Sequence, residues 1–179
     1  MTKNTLIPTF ETARIHLRGG QADDLGPLDE FFSTPASRYV GGPRPRPESW
    51  EALCAGVGHW VLRGFGLWIL TAKDSGDVIG VAGLQQPDGW PEPELIWALF
   101  PEYTGQGLAT EAVEGIRGFV AREFGIKTPI SLIYPDYQKV VKMAENMGAR
   151  RIADVTIPDG EVPAWRFPEP TTSKVETKG

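Results

Sequence analysis

Two glycines one residue apart, Gly105 and Gly107, stand at the head of an amphipathic run, and that placement has chemical meaning. The first N–H groups of a helix have no partner within it and carry roughly half a positive charge together, so a helix start receives anions. Gly105 and Gly107 lack a Cβ and Ala109 is small, so a phosphate could approach the backbone closely here. No Lys-Ser or Lys-Thr follows the glycines, which excludes a Walker A loop, and the spacing does not fit GxGxxG either. What remains is a short turn suited to a pyrophosphate. Other reactive groups are sparse. His16 and His59 have no second ligand at metal spacing and read as structural or surface residues, so no metal is expected. Cys54 is the only cysteine, which excludes an intrachain disulfide. It falls on the apolar side of a predicted helix and reads as a small buried hydrophobe, with a Cys-His nucleophile pair as the alternative.

The elements that must position the turn can be read around it. Glu94 to Phe100 is rich in bulky apolar residues between Pro93 and Pro101 and predicts a strand. Leu108, Ala109, Ala112, Val113, Ile116, Phe119 and Val120 recur at helical spacing, with Glu111, Glu114, Arg117 and Arg122 on other faces and Gly125 as the cap. Upstream, residues 1–10 read as a leader and Arg14 to Arg18 as a first strand. Asp23 or Asp24 is expected to cap a short helix carrying Leu25, Leu28, Phe31 and Phe32. Gly41 to Pro47 is a loop. Trp50, Leu53, Cys54, Val57, Trp60 and Val61 predict a second helix closed by Gly64. Phe65 to Lys73 and Asp77 to Gln85 predict an antiparallel hairpin around Asp74-Ser75-Gly76. Downstream come a strand over Pro129 to Tyr134 and a helix over Gln138 to Met147. A final pair of strands, Ala149 to Val155 and Val162 to Phe167, flanks Pro158-Asp159-Gly160. The strands from Glu94 and Pro129, joined by a helix, should lie parallel through a right-handed crossover. The whole is a mixed α/β sheet covered by helices.

Composition bounds the rest. The 179 residues suit one domain, expected over 1–168, with 169–179 as a disordered tail poor in apolar residues. The net charge of −5 argues weakly against a nucleic-acid partner and slightly favours a cationic or amine ligand. No apolar run is long enough to span a membrane and no signal pattern opens the chain, so no membrane partner is expected and the cytoplasm is the default location.

The order of these pieces resembles the GCN5-related N-acetyltransferases (GNAT), and within them the RimJ/RimL-like branch, over about Thr12 to Phe167. The resemblance rests on Thr12-Ala13-Arg14-Ile15-His16-Leu17-Arg18, on Val78-Ile79-Gly80-Val81-Ala82-Gly83-Leu84, on Glu94-Leu95-Ile96-Trp97, and on Gly105-Gln106-Gly107-Leu108-Ala109 followed by Thr110-Glu111-Ala112. It implies a centrally splayed sheet of about seven strands flanked by about four helices. It implies acetyl-CoA as acyl donor, with its pyrophosphate on the turn Thr104, Gly105, Gln106, Gly107, Leu108, Ala109 and Thr110. The pantetheine arm would run along Ala98, Leu99 and Phe100. The activity implied is direct acetyl transfer to a primary amine, on a small molecule or a protein N-terminus. A non-catalytic acyl-CoA-binding or sensing domain is the alternative.

Related acetyltransferases often carry a catalytic carboxylate where Glu94 stands, which makes it the candidate general base. Two departures stand beside this. Thr104 replaces the basic or amide residue that opens the family's turn. Tyr137 and Val140 occupy the places of an Asn and a Ser near the next helix. Tyr137, a phenol with an ordinary pKa of about 10, is the candidate general acid. Arg38, Arg44 and Arg46 surround the loop that borders the family's acceptor site. A homodimer is common among relatives, although no feature of this sequence shows one.

Overall fold

The computed structural model describes residues 7–171. Its centre is the predicted hairpin. Strand β3 (Leu67–Ala72) pairs antiparallel with β4 (Val78–Gln85). The turn is set by Asp74, whose Oδ1 accepts the Ser75 N–H, and by Ser75 Oγ, which accepts the Asp77 N–H. Strand β2 (Ile15–Arg18) lies on the free edge of β3 and β1 (Phe10–Glu11) outside it. On the other side of β4 come β5 (Glu94–Leu99), β6 (Ile130–Leu132), β10 (Ala164–Arg166) and β7 (Arg150–Arg151). The sheet thus has eight strands in the order β1-β2-β3-β4-β5-β6-β10-β7. Only β5 and β6 are parallel, as a helical crossover between them requires.

Two apolar clusters lie on opposite faces. Helix α3 (Leu108–Phe124) packs Ala112, Val113, Ile116 and Val120 with Leu17, Trp68, Leu70 and Leu84. Ala144 of α4 (Gln138–Asn146) joins the same cluster. Helix α1 (Leu25–Phe32) places Leu28, Phe31 and Phe32 with Ile69 and Ala98 on the other face, where Leu53 of α2 (Arg46–Arg63) also packs. A bulge at Leu70/Thr71 sets which residues of β4 face which side. Ile79 and Ala82 share the α3 cluster although three residues apart, whereas Val78 and Val81 pack on the α1 side.

Several expectations change. The predicted leader is partly core: Ile7 is buried, the Pro8 carbonyl accepts Trp68 Nε1–H at 2.7 Å, and Phe10 stacks on Phe119 at 4.5 Å. Residues 1–6 lie outside the described residues, as do 172–179 of the predicted tail. Asp24 does not cap α1 with its side chain. Its carboxylate takes both nitrogens of the Arg18 fork, at 2.8 and 2.6 Å, and the Gln21 N–H. Cys54 is exposed, as are Trp50 and Val61, because α2 meets the sheet through Leu53, Val57 and Trp60 and leaves that flank open. The helix also begins inside the predicted 41–47 loop, at Arg46. Arg117 is buried, its guanidinium donating to Glu114 and to the Pro168 carbonyl. The single C-terminal strand pair is two pairs. β8 (Val155–Ile157) and β9 (Gly160–Val162) form a separate hairpin around Pro158-Asp159, while β7 and β10 pair within the main sheet. Pro163, which has no N–H to continue a ladder, separates β9 from β10.

Two glycines of β4 allow neighbouring strands to approach. A Cβ on Gly80 would meet the Ala98 carbonyl oxygen at 2.2 Å, and one on Gly83 the Gly66 carbonyl oxygen at 2.3 Å. Both obstacles are backbone and cannot rotate away. Gly83→Ala is therefore expected to destabilise the fold by roughly 1–3 kcal/mol, read as a lower urea midpoint with unchanged m-value. An unchanged midpoint would show that the strands separate freely.

Candidate active site

The predicted anion turn forms as a helix start without a side-chain cap. After β5, Pro101–Tyr103 makes one 3-10 turn and Thr104 returns to extended backbone, its Oγ1 donating to the Pro101 carbonyl. Gly105 and Gly107 have φ of 75° and 77°, which glycine adopts without strain. Gly107 is the N-cap of α3, so no side chain satisfies the first turn. Among the described residues, the N–H groups of Leu108, Ala109 and Thr110 find no protein acceptor. A Cβ on Gly105 would meet nothing within 4 Å, so the space before these donors is open. Thr104, Gly105, Gly107, Ala109 and Thr110 line a cavity of about 390 Å³ that continues along Ala98 and Leu99.

The remaining turn residues point elsewhere. Leu108 is buried in the α3 core, and Gln106 donates through Nε2 to the Glu102 carbonyl. Phe100 packs on Phe31 at 5.2 Å, and its N–H is taken by the Ile79 carbonyl.

A latch holds this turn. Glu111, in the first turn of α3, accepts Thr12 Oγ1–H at 2.6 Å and Arg14 N–H at 2.7 Å through Oε1, and Arg14 Nε–H at 2.7 Å through Oε2. Burial alone would raise its pKa, but the hydrogen bonds from Thr12 and from the Arg14 backbone and side chain outweigh that and hold it low. Arg14 also donates to the Gln106 carbonyl at 3.0 Å. Its Nη2 lies 3.6 Å from where a Cβ on Gly107 would sit. A cation therefore borders the turn although Thr104 supplies none, and Lys139 lines the same cavity. The Thr12-x-Arg14 signal was present in the sequence, but nothing local connected it to a turn some ninety residues away.

Behind the turn the sheet splays. β5 is paired with β4 at every position from Glu94 to Leu99, whereas β6 meets β5 at Glu94↔Ile130 alone. Past that point, among the described residues, the far edge of β5 has no strand partner. Glu94 sits where the strands part and is 4% exposed. Its Oε2 accepts Gln85 Nε2–H at 2.7 Å and its Oε1 the Leu132 N–H at 3.1 Å. Burial pushes its pKa up to about 7, against these two hydrogen bonds, which lower it. Such a carboxyl can take a proton near neutrality. It lines a second cavity, of about 380 Å³, with Gln85, Arg44, Tyr137 and Ser131.

Tyr137 borders both cavities, as do Tyr39, Val40, Trp97 and Val140. It stands at the N-cap of α4, its ring stacked on Tyr39 at 4.1 Å. Tyr39 O–H donates to Asp136 and accepts from Arg38. Burial first, then the Tyr39 neighbour, raises the Tyr137 pKa, with Arg38 opposing, so the phenol keeps its proton at neutral pH. Val140 contributes only apolar wall. Of the three loop arginines, Arg44 lines the Glu94 cavity, Arg38 braces Tyr39 and Arg46 pairs with Asp29 at 3.1 Å. His59 is structural: its Nε2 accepts the Gln86 N–H, which leaves Nδ1–H to donate to the Phe65 carbonyl. Among the described residues no cluster of metal-ligating side chains occurs, and no helix is long and apolar enough to cross a membrane.

Residues 14–150 match the family described as the acetyltransferase (GNAT) domain. Among solved structures the chain is similar to an acetyltransferase from Agrobacterium tumefaciens strain C58, with a TM-score of 0.83 and 29% identity over 90% of this chain and 94% of that one. It is similar to a GNAT-family acetyltransferase from Bacillus anthracis, with a TM-score of 0.72 and 15% identity over 89% and 96%. It also shares its fold with the aminoglycoside acetyltransferase AAC(6')-Ib in complex with coenzyme A and kanamycin, with a TM-score of 0.71 and 19% identity over 86% and 94%.

The buried Glu94 carboxyl makes a prediction about stability. The native state holds its proton up to about pH 7, whereas the unfolded chain releases it near 4.5. Stability should therefore fall as pH rises from about 4.5 through 7 and gain no further loss from this group above that. Glu94→Gln keeps the shape without the proton, so its unfolding free energy should lose that slope. Identical pH–stability curves for the two proteins would mean that Glu94 ionises in the folded state as it does in water.

Proposed function

We propose a function from one premise: the chain belongs to the GNAT acetyltransferase family. It transfers the acetyl group of acetyl-CoA directly to a primary amine. The observation that carries this reading is the uncapped start of α3 opening beside the unpaired edge of β5. The free N–H groups from Leu108 to Thr110, bordered by Arg14 and Lys139, suit a pyrophosphate. The edge of β5 at Ala98 and Leu99 offers backbone groups to an amide-bearing arm such as pantetheine. Bound there, acetyl-CoA supplies the thioester.

The remaining work belongs to side chains. Glu94 takes a proton from the incoming ammonium or amine, directly or through water, for which a pKa of about 7 is well matched. Tyr137, protonated and on the wall between the cavities, gives a proton to the departing thiolate. Trp97 and Tyr39 border both cavities and limit water at the reacting atoms. A RimJ/RimL-like placement is part of the proposal and is supported by the Thr12–Arg14–Glu111 latch, which gives that branch's sequence signature a physical role. A non-catalytic acyl-CoA-binding protein is the second reading. It is favoured by Val140, which has no proton to give, and by the Tyr137 hydroxyl, which has no hydrogen-bond partner among the described residues.

Acetyl-CoA should raise the melting temperature, because a ligand at 100 times its Kd adds about 2.7 kcal/mol. Gly107→Glu should abolish that shift by placing a side chain and a negative charge in the turn. A variant that still responds would move the pyrophosphate elsewhere. In a screen of amines followed by free-thiol release, the rate should rise with pH through about 7. Glu94→Gln should lower turnover by roughly 10²- to 10⁴-fold and leave the acetyl-CoA shift in place. Equal rates would remove Glu94 from the chemistry, and no thiol release with any amine would favour the binding protein.

A further inference from the structure

We propose that the acceptor amine also carries a carboxylate and an apolar side chain, as an aliphatic or aromatic amino acid does. This rests on the acetyltransferase reading and narrows it. On the Glu94 side of the sheet a further cavity of about 390 Å³ lies between α2 and strands β3 to β5. It adjoins the Glu94 cavity: Val40, Arg44, Gln85 and Ile96 belong to the walls of both. Most of its lining is apolar, with Phe32, Leu53, Val57, Ile69 and Val81 among the contributors, and among the described residues no carboxylate lines it.

Its polar groups are few, and two of the four are already engaged. Both ring nitrogens of His59 are hydrogen-bonded, to the Phe65 carbonyl and the Gln86 N–H. The Gln85 amide holds Glu94. Arg44 and Ser49 remain. The Arg44 guanidinium lies 3.8 Å over the Phe32 ring and forms no hydrogen bond or ion pair among the described residues, and its Nε is buried without a partner. Burial lowers its pKa from the ordinary value, with Glu48 offsetting only part. Ser49, 2% exposed, likewise leaves its Oγ unpartnered.

A buried donor without an acceptor is costly, and a guanidinium is matched best by a carboxylate. An amine offered to Glu94 thus has a cation beside it for an anionic group and an apolar chamber beyond for its side chain. A polycation such as the kanamycin bound by AAC(6')-Ib would find Glu94 and Asp159 around the amine's cavity, but in the chamber beyond only a guanidinium and, among the described residues, no carboxylate. The pattern favours a free amino acid over a peptide N-terminus, because a peptide's first residue brings a neutral carbonyl to Arg44.

The test is free-thiol release with matched acceptors: leucine against isoamylamine, phenylalanine against phenethylamine, a leucine-initiated peptide amide, and kanamycin. The amino acids should exceed the amines lacking a carboxylate by roughly tenfold or more in kcat/KM. Arg44→Gln should bring that ratio close to one while acetyl-CoA still raises the melting temperature. Ala52→Phe, which narrows the apolar chamber from α2, should raise the KM for phenylalanine more than for glycine. Higher kcat/KM for kanamycin or for the peptide amide overturns the proposal, as does an Arg44→Gln ratio equal to that of the parent protein. Turnover of no amine at all, with the acetyl-CoA shift intact, overturns the acetyltransferase reading as well.

Discussion

The parting of β5 from β6 after a single paired position is the constraint on which the rest of the molecule depends. A parallel pair normally saturates both backbones, and here it does so only at Glu94 and Ile130. The two halves of the sheet are joined just beyond by side chains instead. Glu94 accepts the Leu132 N–H, and Ser131 Oγ donates to the Leu95 carbonyl. A carboxylate that spans a gap in a sheet has to be buried, and burial is what brings its pKa to about 7. The structural role of Glu94 and its raised pKa therefore have one origin. The same gap leaves the Ala98–Leu99 edge open to a ligand.

The α3 start is the second half of that design, and its orientation is fixed from a distance. A glycine N-cap gives the helix no local anchor. Glu111 supplies one by taking three hydrogen bonds from Thr12 and Arg14 at the far end of the sheet. Because the pair is partly exposed, its ionic component is modest. Its main value is geometric: it sets how the first turn of α3 meets the cavity, and it leaves Arg14 Nη1 free for the Gln106 carbonyl.

What could be read from sequence follows from how local each signal is. The hairpin, the α3 limits at Gly107 and Gly125, and the parallel crossover all rest on periodicity, turn residues and chain connectivity, and the structure contains each of them. The glycine turn was legible as an uncapped helix start because glycine spacing and an amphipathic run are adjacent in the chain. The exposure of Cys54 and Trp50 was not legible, since periodicity reports which residues share a face and not how wide a stripe the sheet covers. Nor was the insertion of β10 between β6 and β7, which depends on pairing across distant segments. Arg14 at the turn and Arg44 between two cavities were unreadable for the same reason: their surroundings come from strands and helices far away in the chain.

The bulge in β4 has a consequence that reaches the buried carboxylate. One additional residue near Ile79 inverts the parity of everything that follows in the strand. With it, Gln85 emerges opposite Glu94 and donates to it, while Leu84 enters the α3 core. Were that residue deleted with the turn retained, inside and outside would exchange: Leu84 would leave the α3 core for the Glu94 face, and the Gln85 amide would be buried among hydrocarbon in its place. The Gln85–Glu94 hydrogen bond thus depends on an odd-or-even count made at the other end of the strand. A one-residue gap there is an inversion, however mild it looks in an alignment.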